Sequence, residues 1–253
     1  MFIDAHAHLA QSKRSLEELA AELRRLGVVA SIQGGVGPED WGRQLELCRR
    51  EPELVRPVLG LHPWWVLEHT ESQCQEALEA LESRISQAQA GGAARPIALG
   101  ELGLDYFRDS TRDASGLQRK VFEAQLGLSG RLGLPIVLHV VHAHEVALER
   151  LGQVRGPLRG LVHAFSGSYE IAQQYLRLGL KLSIGPGIAR PGRFKQLKSA
   201  LPRLGPSDWV LESDGEGPEL FQAARAAAAL VGRPVNEVLS QSTDGVRAVF
   251  GLT

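Results

Sequence analysis

Short apolar, β-branched runs alternate along the chain with longer segments whose apolar positions recur every three to four residues. The short runs cover 2–9 (FIDAHAHL), 28–35 (VVASIQGG), 55–63 (VRPVLGLHP), 96–105 (PIALGELGLD), 135–141 (PIVLHVV), 160–167 (GLVHAFSG), 180–187 (LKLSIGPG) and 209–215 (WVLESDG). Their length and composition predict strands buried on both faces. Helical periodicity predicts helices over 16–26, 41–50, 72–89, 117–132, 144–151, 169–178, 194–201, 220–230 and 235–250. Several of these stop at a glycine just before the next strand, as in RRLGV, RLGLP and RLGLK. A glycine past the last turn supplies a left-handed cap.

Eight strand–helix units in 253 residues fit an α/β fold of the (β/α)8 TIM-barrel type, as one domain over 1–253. An open doubly wound sheet usually carries a glycine-rich phosphate loop after its first strand. Here the first strand ends in histidines instead.

Composition narrows the picture in three ways. The hydrophobic content of 43% supports a large core, and no apolar run is long enough to span a membrane. A net charge of −1 gives no global attraction to nucleic acid, so such a substrate needs a local site. Cys48 and Cys74 lie in helical segments and read as free thiols. With no signal peptide visible, the expected compartment is the cytoplasm.

The ionisable residues near strand ends carry the chemistry. They are His6 and His8, His62, Glu101 and Asp105, His139, His163, and Glu212 with Asp214. In a (β/α)8 barrel these ends meet on one rim, where active sites form. Residues i and i+2 of a strand share a face, so His6 and His8 form a same-face pair that one metal can use. A single strand-end histidine is more often a hydrogen-bonded structural residue, and a single strand-end carboxylate can as well be a helix cap or an arginine partner. Jointly, four histidines with Glu101 and Asp214 exceed the needs of one tetrahedral ion and suit two ions sharing a carboxylate. Asp4 reads as a hydrogen-bonding support, and His142 and His144 as solvent-side or capping residues. Trp64 and Trp65 are read as a cleft wall or as core packing. His69 is given no role.

The motifs FIDAHAHL, GLHP, ALGELGLDY, LPIVLH, VHAFSGS and VLESD, in this order over 1–252, resemble the TatD family of metal-dependent hydrolases. The resemblance implies that His6, His8 and Asp214 hold a first ion, His139 and His163 a second, and that Glu101 bridges them. The ions would be Zn, Mn or Mg. It also implies that His62 lies beside the substrate, and that the substrate is DNA or a smaller phosphoester. Glu101, His62 and Asp214 would be the catalytic groups, Asp214 taking a proton from the attacking water. No membrane and no obligate protein partner are expected.

Two departures stand out. The family's arginine after the fifth strand is Val141 here, and the basic loop that usually follows the last strand is replaced by Gly215-Glu216-Gly217-Pro218. Arg108, Arg190 and Arg193 are candidates to supply the missing cation. Two other readings of the same ligands remain open. One is a metal-dependent amidase, deaminase or lactonase; the other is a non-catalytic or partner-dependent member.

Overall fold

The computed structural model describes residues 1–91, 94–108 and 113–252. The order is β1 (Phe2–Ala7), α1 (Leu16–Arg25), β2 (Val28–Gln33), α2 (Pro38–Arg50), β3 (Val55–Arg56), β4 (Val58–Leu59), α3 (Pro63–Leu67), α4 (Glu71–Gly91), β5 (Ala98–Asp105), α5 (Leu117–Leu132) and β6 (Ile136–Val141). There follow α6 (His144–Gly152), β7 (Gly160–Val162), α7 (Tyr169–Arg177), β8 (Leu180–Ile184), α8 (Lys195–Ala200), β9 (Trp209–Leu211), α9 (Leu220–Val231) and α10 (Val235–Phe250). All eight expected strand positions form. The third is split by Pro57, which has no N–H to donate to a ladder, into β3 and β4.

The pairing is parallel throughout, in two sheet segments ordered β1-β2-β3 and β4-β5-β6-β7-β8-β9. Between β9 and β1 the join uses other groups. Asp214 N–H donates to His6 O at 3.0 Å and His8 N–H to Gly215 O at 2.8 Å. Lower down, helix α10 satisfies the two edges with hydroxyls: Leu211 N–H donates to Ser242 Oγ at 2.7 Å and Ile3 N–H to Thr243 Oγ1 at 3.1 Å. Buried backbone N–H groups need partners, and here a helix supplies what an eighth ladder, between β9 and β1, would.

Helix limits follow local chemistry. Ser15 and Glu18 form a reciprocal capping box at the start of α1. Gly27, Gly133 and Gly179 have φ of 77°, 65° and 91°, so each predicted glycine stop is a left-handed turn. Helix α3 is absent from the sequence-based expectation, because GLHPWWV reads as a strand running into a loop. Pro63 starts it at the first helical position, with His62 as its cap.

The apolar residues separate into two clusters. A small inner one joins Ile3, Ala5, Ile32, Val137, Leu161 and Val210 to α10 through Val246, Val249 and Phe250. A larger one lies between the strands and the surrounding helices. Cys48 in α2 and Cys74 in α4 are buried and form no disulfide.

His144 departs from the solvent-side or capping expectation. Ala143 is the cap of α6, and His144 Nδ1 meets the hydroxyl of fully buried Tyr175 at 2.9 Å. Burial, then His142, push its pKa down to about 4. The folded state therefore holds His144 neutral where the unfolded chain, with a pKa near 6.5, takes up a proton. Stability falls as pH drops below about 6.5 and this loss is complete near 4. The shift corresponds to on the order of 3 kcal/mol, trimmed to about 2 by partial exposure of the ring. Chemical denaturation at pH 7 and pH 4.5 is expected to show a smaller pH-dependent loss in His144→Gln than in the wild type. Equal losses would refute it.

Candidate metal centre

The centre is built around Glu101, which sits where the β5–β6 register slips between Gly100 and Leu102. A bulge of this kind re-aims a side chain. The Glu101 backbone N–H donates to Gly35 O at 2.8 Å, and the residue as a whole is 1% exposed. The two oxygens face different groups. Oε1 lies 3.5 Å from His6 Nε2 and 3.7 Å from His8 Nε2. Oε2 lies 3.5 Å from His139 Nδ1, 3.5 Å from His163 Nε2 and 3.6 Å from His62 Nε2. Asp214 Oδ1 closes the first side, 3.5 Å from His8 Nε2 and 3.9 Å from His163 Nε2.

The structure thus brings all six expected ligands and His62 into one cluster. Strand β1 ends at Ala7, so His8 stands on the turn after it. Its ring still meets that of His6, with the two Nε2 atoms 3.2 Å apart. Asp214 has φ of 50° and is held by its bond to His6 O. His142, Ala164 and Phe194 on the same rim also adopt positive φ. Such backbone conformations are costly for residues other than glycine and collect at functional sites.

Partners outside the cluster orient the rings. His8 Nδ1 meets Gln11 Oε1 at 3.2 Å, His139 Nε2 meets Asp105 Oδ2 at 3.2 Å, and His163 Nδ1 meets Glu212 Oε1 at 3.0 Å. Gln11 and Asp105 take the outer N–H of His8 and His139, Glu212 stands in ion-pair contact with His163, and in the neutral form of each ring the inner nitrogen's lone pair faces Glu101. His62 is set the other way. Its Nδ1 accepts from Trp64 N–H at 3.0 Å, so the proton of the neutral ring sits on Nε2 and points into the site. Burial pushes the His62 pKa down to about 3, so the neutral donor form is the one present at neutral pH. His62 is therefore an N–H donor rather than a lone-pair ligand, although it lies within ligand distance of Glu101 and His139.

The electrostatics favour positive charge among the histidines. Burial opposes charge on His163, yet Glu212 and Glu101 outweigh it and raise its pKa to about 10. His139 and His8 also rise, against burial, through their carboxylate neighbours. Burial would lift the pKa of Glu101, but His6, His62 and His163 hold it well below the usual carboxylate range. Glu101 Oε1 has no hydrogen-bond partner although it is fully buried. A buried carboxylate with a bare oxygen, ringed by inward lone pairs, fits cations on both of its sides. Three overlapping sets have ligand atoms close enough to share an ion: His6/His8/Asp214, His6/Glu101/His163 and His62/Glu101/His139.

Other expected residues fall into place around the centre. Buried Asp4 accepts from the backbone N–H groups of Ser213 at 2.9 Å and His6 at 3.2 Å, and burial raises its pKa to about 7. Trp64 borders His62 with ring centroids 4.8 Å apart, while Trp65 turns into the core and stacks on His69. Arg190 lines a cavity of about 150 Å3 beside Asp214, with Phe165, Ile188 and Phe194; Arg193 is not part of that lining. Val141 places no charge on the rim. Sequence reasoning missed Gln11 and Gly34, whose roles depend on neighbours distant in the chain. Asp105 and Glu212 are strand-end carboxylates to which the sequence alone attaches no task.

A family model described as TatD related DNase matches residues 3–251. The metal-dependent hydrolase YjjV of Escherichia coli strain K12 is 29% identical, covering 99% of this chain and 98% of that protein. Human deoxyribonuclease TATDN3 is 28% identical over 98% of this chain and 94% of its own length. The 3'-5' ssDNA/RNA exonuclease TatD of Edwardsiella piscicida is 28% identical over 81% of this chain and 74% of its own. The crystal structure of Escherichia coli YjjV superposes with a TM-score of 0.83 at 26% identity, covering 100% of this chain and 98% of that one. Among the described residues no helix is long and apolar enough to cross a membrane.

Proposed function

The chain belongs to the TatD-related DNase family of metal-dependent hydrolases, and from that premise we propose that it hydrolyses phosphodiester bonds at a dinuclear centre. His6, His8 and Asp214 would hold one divalent cation, His139 and His163 the other, with Glu101 between them. The observation that carries this reading is the division of Glu101, one oxygen toward each group of imidazoles. Bound there, the cations, whether Zn, Mn or Mg, would supply Lewis acidity and bring the pKa of an attacking water down to about 7.

The protein's own groups do the rest. Asp214 is held at a pKa of about 2 because, against burial, its bond to His8 and the nearby His163 favour the anion. It therefore stays ionised and can take a proton from the attacking water. His62 Nε2–H donates to a substrate oxygen and gains strength as charge develops there. Glu212 and Asp105 fix His163 and His139 against rotation. The cavity beside Asp214 leaves room for a group attached to the scissile phosphate. Relatives named as single-strand exonucleases and deoxyribonucleases support DNA as the substrate class. An amidase, deaminase or lactonase reading has less support, since those enzymes often bridge their metals with a carboxylated lysine and β5 supplies Glu101.

The test is incubation of the purified protein with a labelled single-stranded oligonucleotide and Mn, Mg or Zn. Cleavage lost in His6→Ala and Asp214→Asn is the expected result. Failure to cleave any phosphodiester with any of these metals, together with turnover of an amide or lactone, would overturn it. In a second check, Glu212→Gln is expected to weaken metal retention about 10–100-fold, read by elemental analysis after dialysis against a graded chelator series. Retention equal to the wild type would remove Glu212 from this role.

A further inference from the structure

The metal-site cluster consists of imidazoles and carboxylates and contains no arginine or lysine, so any further side-chain cation for an anionic substrate stands at its border. Arg108 is placed for this. Its guanidinium carbon lies 4.0 Å from the centroid of the Trp64 ring, which in turn lies 5.8 Å from the ring of His139 and 4.8 Å from that of His62. One carboxylate organises the whole arrangement. Asp105 Oδ2 takes His139 Nε2 at 3.2 Å and Trp64 Nε1–H at 2.5 Å, while Oδ1 accepts the backbone N–H groups of Phe107 at 2.9 Å and Arg108 at 3.0 Å. The same residue that orients a site histidine therefore orients the turn carrying Phe107 and Arg108.

That turn also exposes apolar surface. Phe107 is 71% exposed and Trp64 39%, and they are the aromatic members of the exposed large apolar residues among the described ones. The ring of Phe107 meets His142 edge to face, with centroids 5.4 Å apart. His142 stands in the left-handed region, φ 55°, directly after β6. A lone exposed phenyl ring needs no explanation. A phenyl ring flanked by an oriented guanidinium on the rim of a hydrolytic centre has the make-up of a single-strand platform, in which a base stacks on the ring and the phosphate meets the cation. Bases inside a duplex hide their faces from such a ring; unpaired bases present them.

We propose that Phe107 and Arg108 form the subsite that holds an unpaired nucleotide next to the scissile phosphate, the base on Phe107 and its phosphate on Arg108. Trp64 and Asp105 are positioning residues that keep the guanidinium and the turn in place. This rests on the phosphodiesterase reading and names the part of the substrate that this flank of the site grips.

The experiment compares wild type, Phe107→Ala, Phe107→Tyr and Arg108→Ala on two substrates, a single-stranded oligonucleotide and methyl p-nitrophenyl phosphate. It adds fluorescence anisotropy of the labelled oligonucleotide, which reads binding without turnover. Phe107→Ala is expected to raise KM and Kd for the oligonucleotide about tenfold and to leave the small diester within twofold of wild type, with Phe107→Tyr restoring binding. Arg108→Ala is expected to weaken oligonucleotide binding by a similar factor and to reduce the slope of log Kd against log salt by about one. Oligonucleotide KM and Kd within twofold of wild type in both alanine variants would overturn the subsite. So would equal losses on both substrates in Phe107→Ala. If no phosphodiester is cleaved with any metal, the phosphodiesterase reading fails, and anisotropy alone decides the subsite by the same criteria.

Discussion

Glu101→Gln is expected to lower phosphodiester hydrolysis by about 10³-fold or more and to reduce the metal bound per chain. The substitution keeps the shape of the side chain and removes its charge. That charge faces the imidazoles of His6, His8, His62, His139 and His163 across 3.5–3.7 Å. A neutral amide also places an NH2 where one of the carboxylate oxygens stood, so it presents donor hydrogens to nitrogens whose lone pairs point inward. Correctly seated metals supply several kcal/mol of transition-state stabilisation, and each 1.36 kcal/mol is a factor of about ten in rate. The fold should persist, because the Glu101 backbone bond to Gly35 is untouched. Steady-state kinetics, elemental analysis and a thermal melt on one preparation give the three readouts. A Glu101→Gln protein with full metal content and a rate within tenfold of wild type would sink the bridging role.

The members of the cluster were legible in the sequence because each lies near the end of an apolar run, and the fold turns the ends of such runs into neighbours. That is a rule of topology, and it needs no knowledge of side-chain packing. Details set by partners from other elements were not legible. The tautomer of His62 depends on the backbone N–H of Trp64 at the start of a helix that GLHPWWV does not advertise. The burial of His144 depends on Tyr175, a residue of the next helix. Asp105 follows its apolar run as Glu101 does, yet one faces the cluster and the other supports it. The difference is the register slip at Gly100–Leu102, and a single strand's sequence carries no mark of its partner's register.

Gly34→Ala is the sharper test of the geometry, because it adds a single methyl group and changes no charge. Gly34 directly follows β2, and its backbone lies outside the left-handed region, so alanine brings no φ strain. A Cβ there would stand 2.6 Å from Glu101 Oε1, 2.6 Å from His8 Cε1 and 2.7 Å from His6 Cε1. Ordinary contacts for these atoms are roughly 1 Å longer. None of the three neighbours can yield cheaply. His8 is tied to Gln11, the His6 ring lies 4.0 Å from that of His163, and Glu101 is buried among the other imidazoles. The methyl group therefore has to displace the ligands of the first side, by a distance at which misplacement costs about 10²-fold in rate. The expected protein folds with a melting temperature near wild type, binds less metal and turns over phosphodiesters about 100 times more slowly. Its metal loss should also differ from that of Asp214→Asn. Gly34→Ala disturbs His6, His8 and Glu101 together and should lower occupancy on both sides of Glu101, whereas Asp214→Asn removes a ligand from the first side alone. Full metal stoichiometry and wild-type kcat in Gly34→Ala would show that this space can close around the methyl group and that the packing of the centre tolerates the shift.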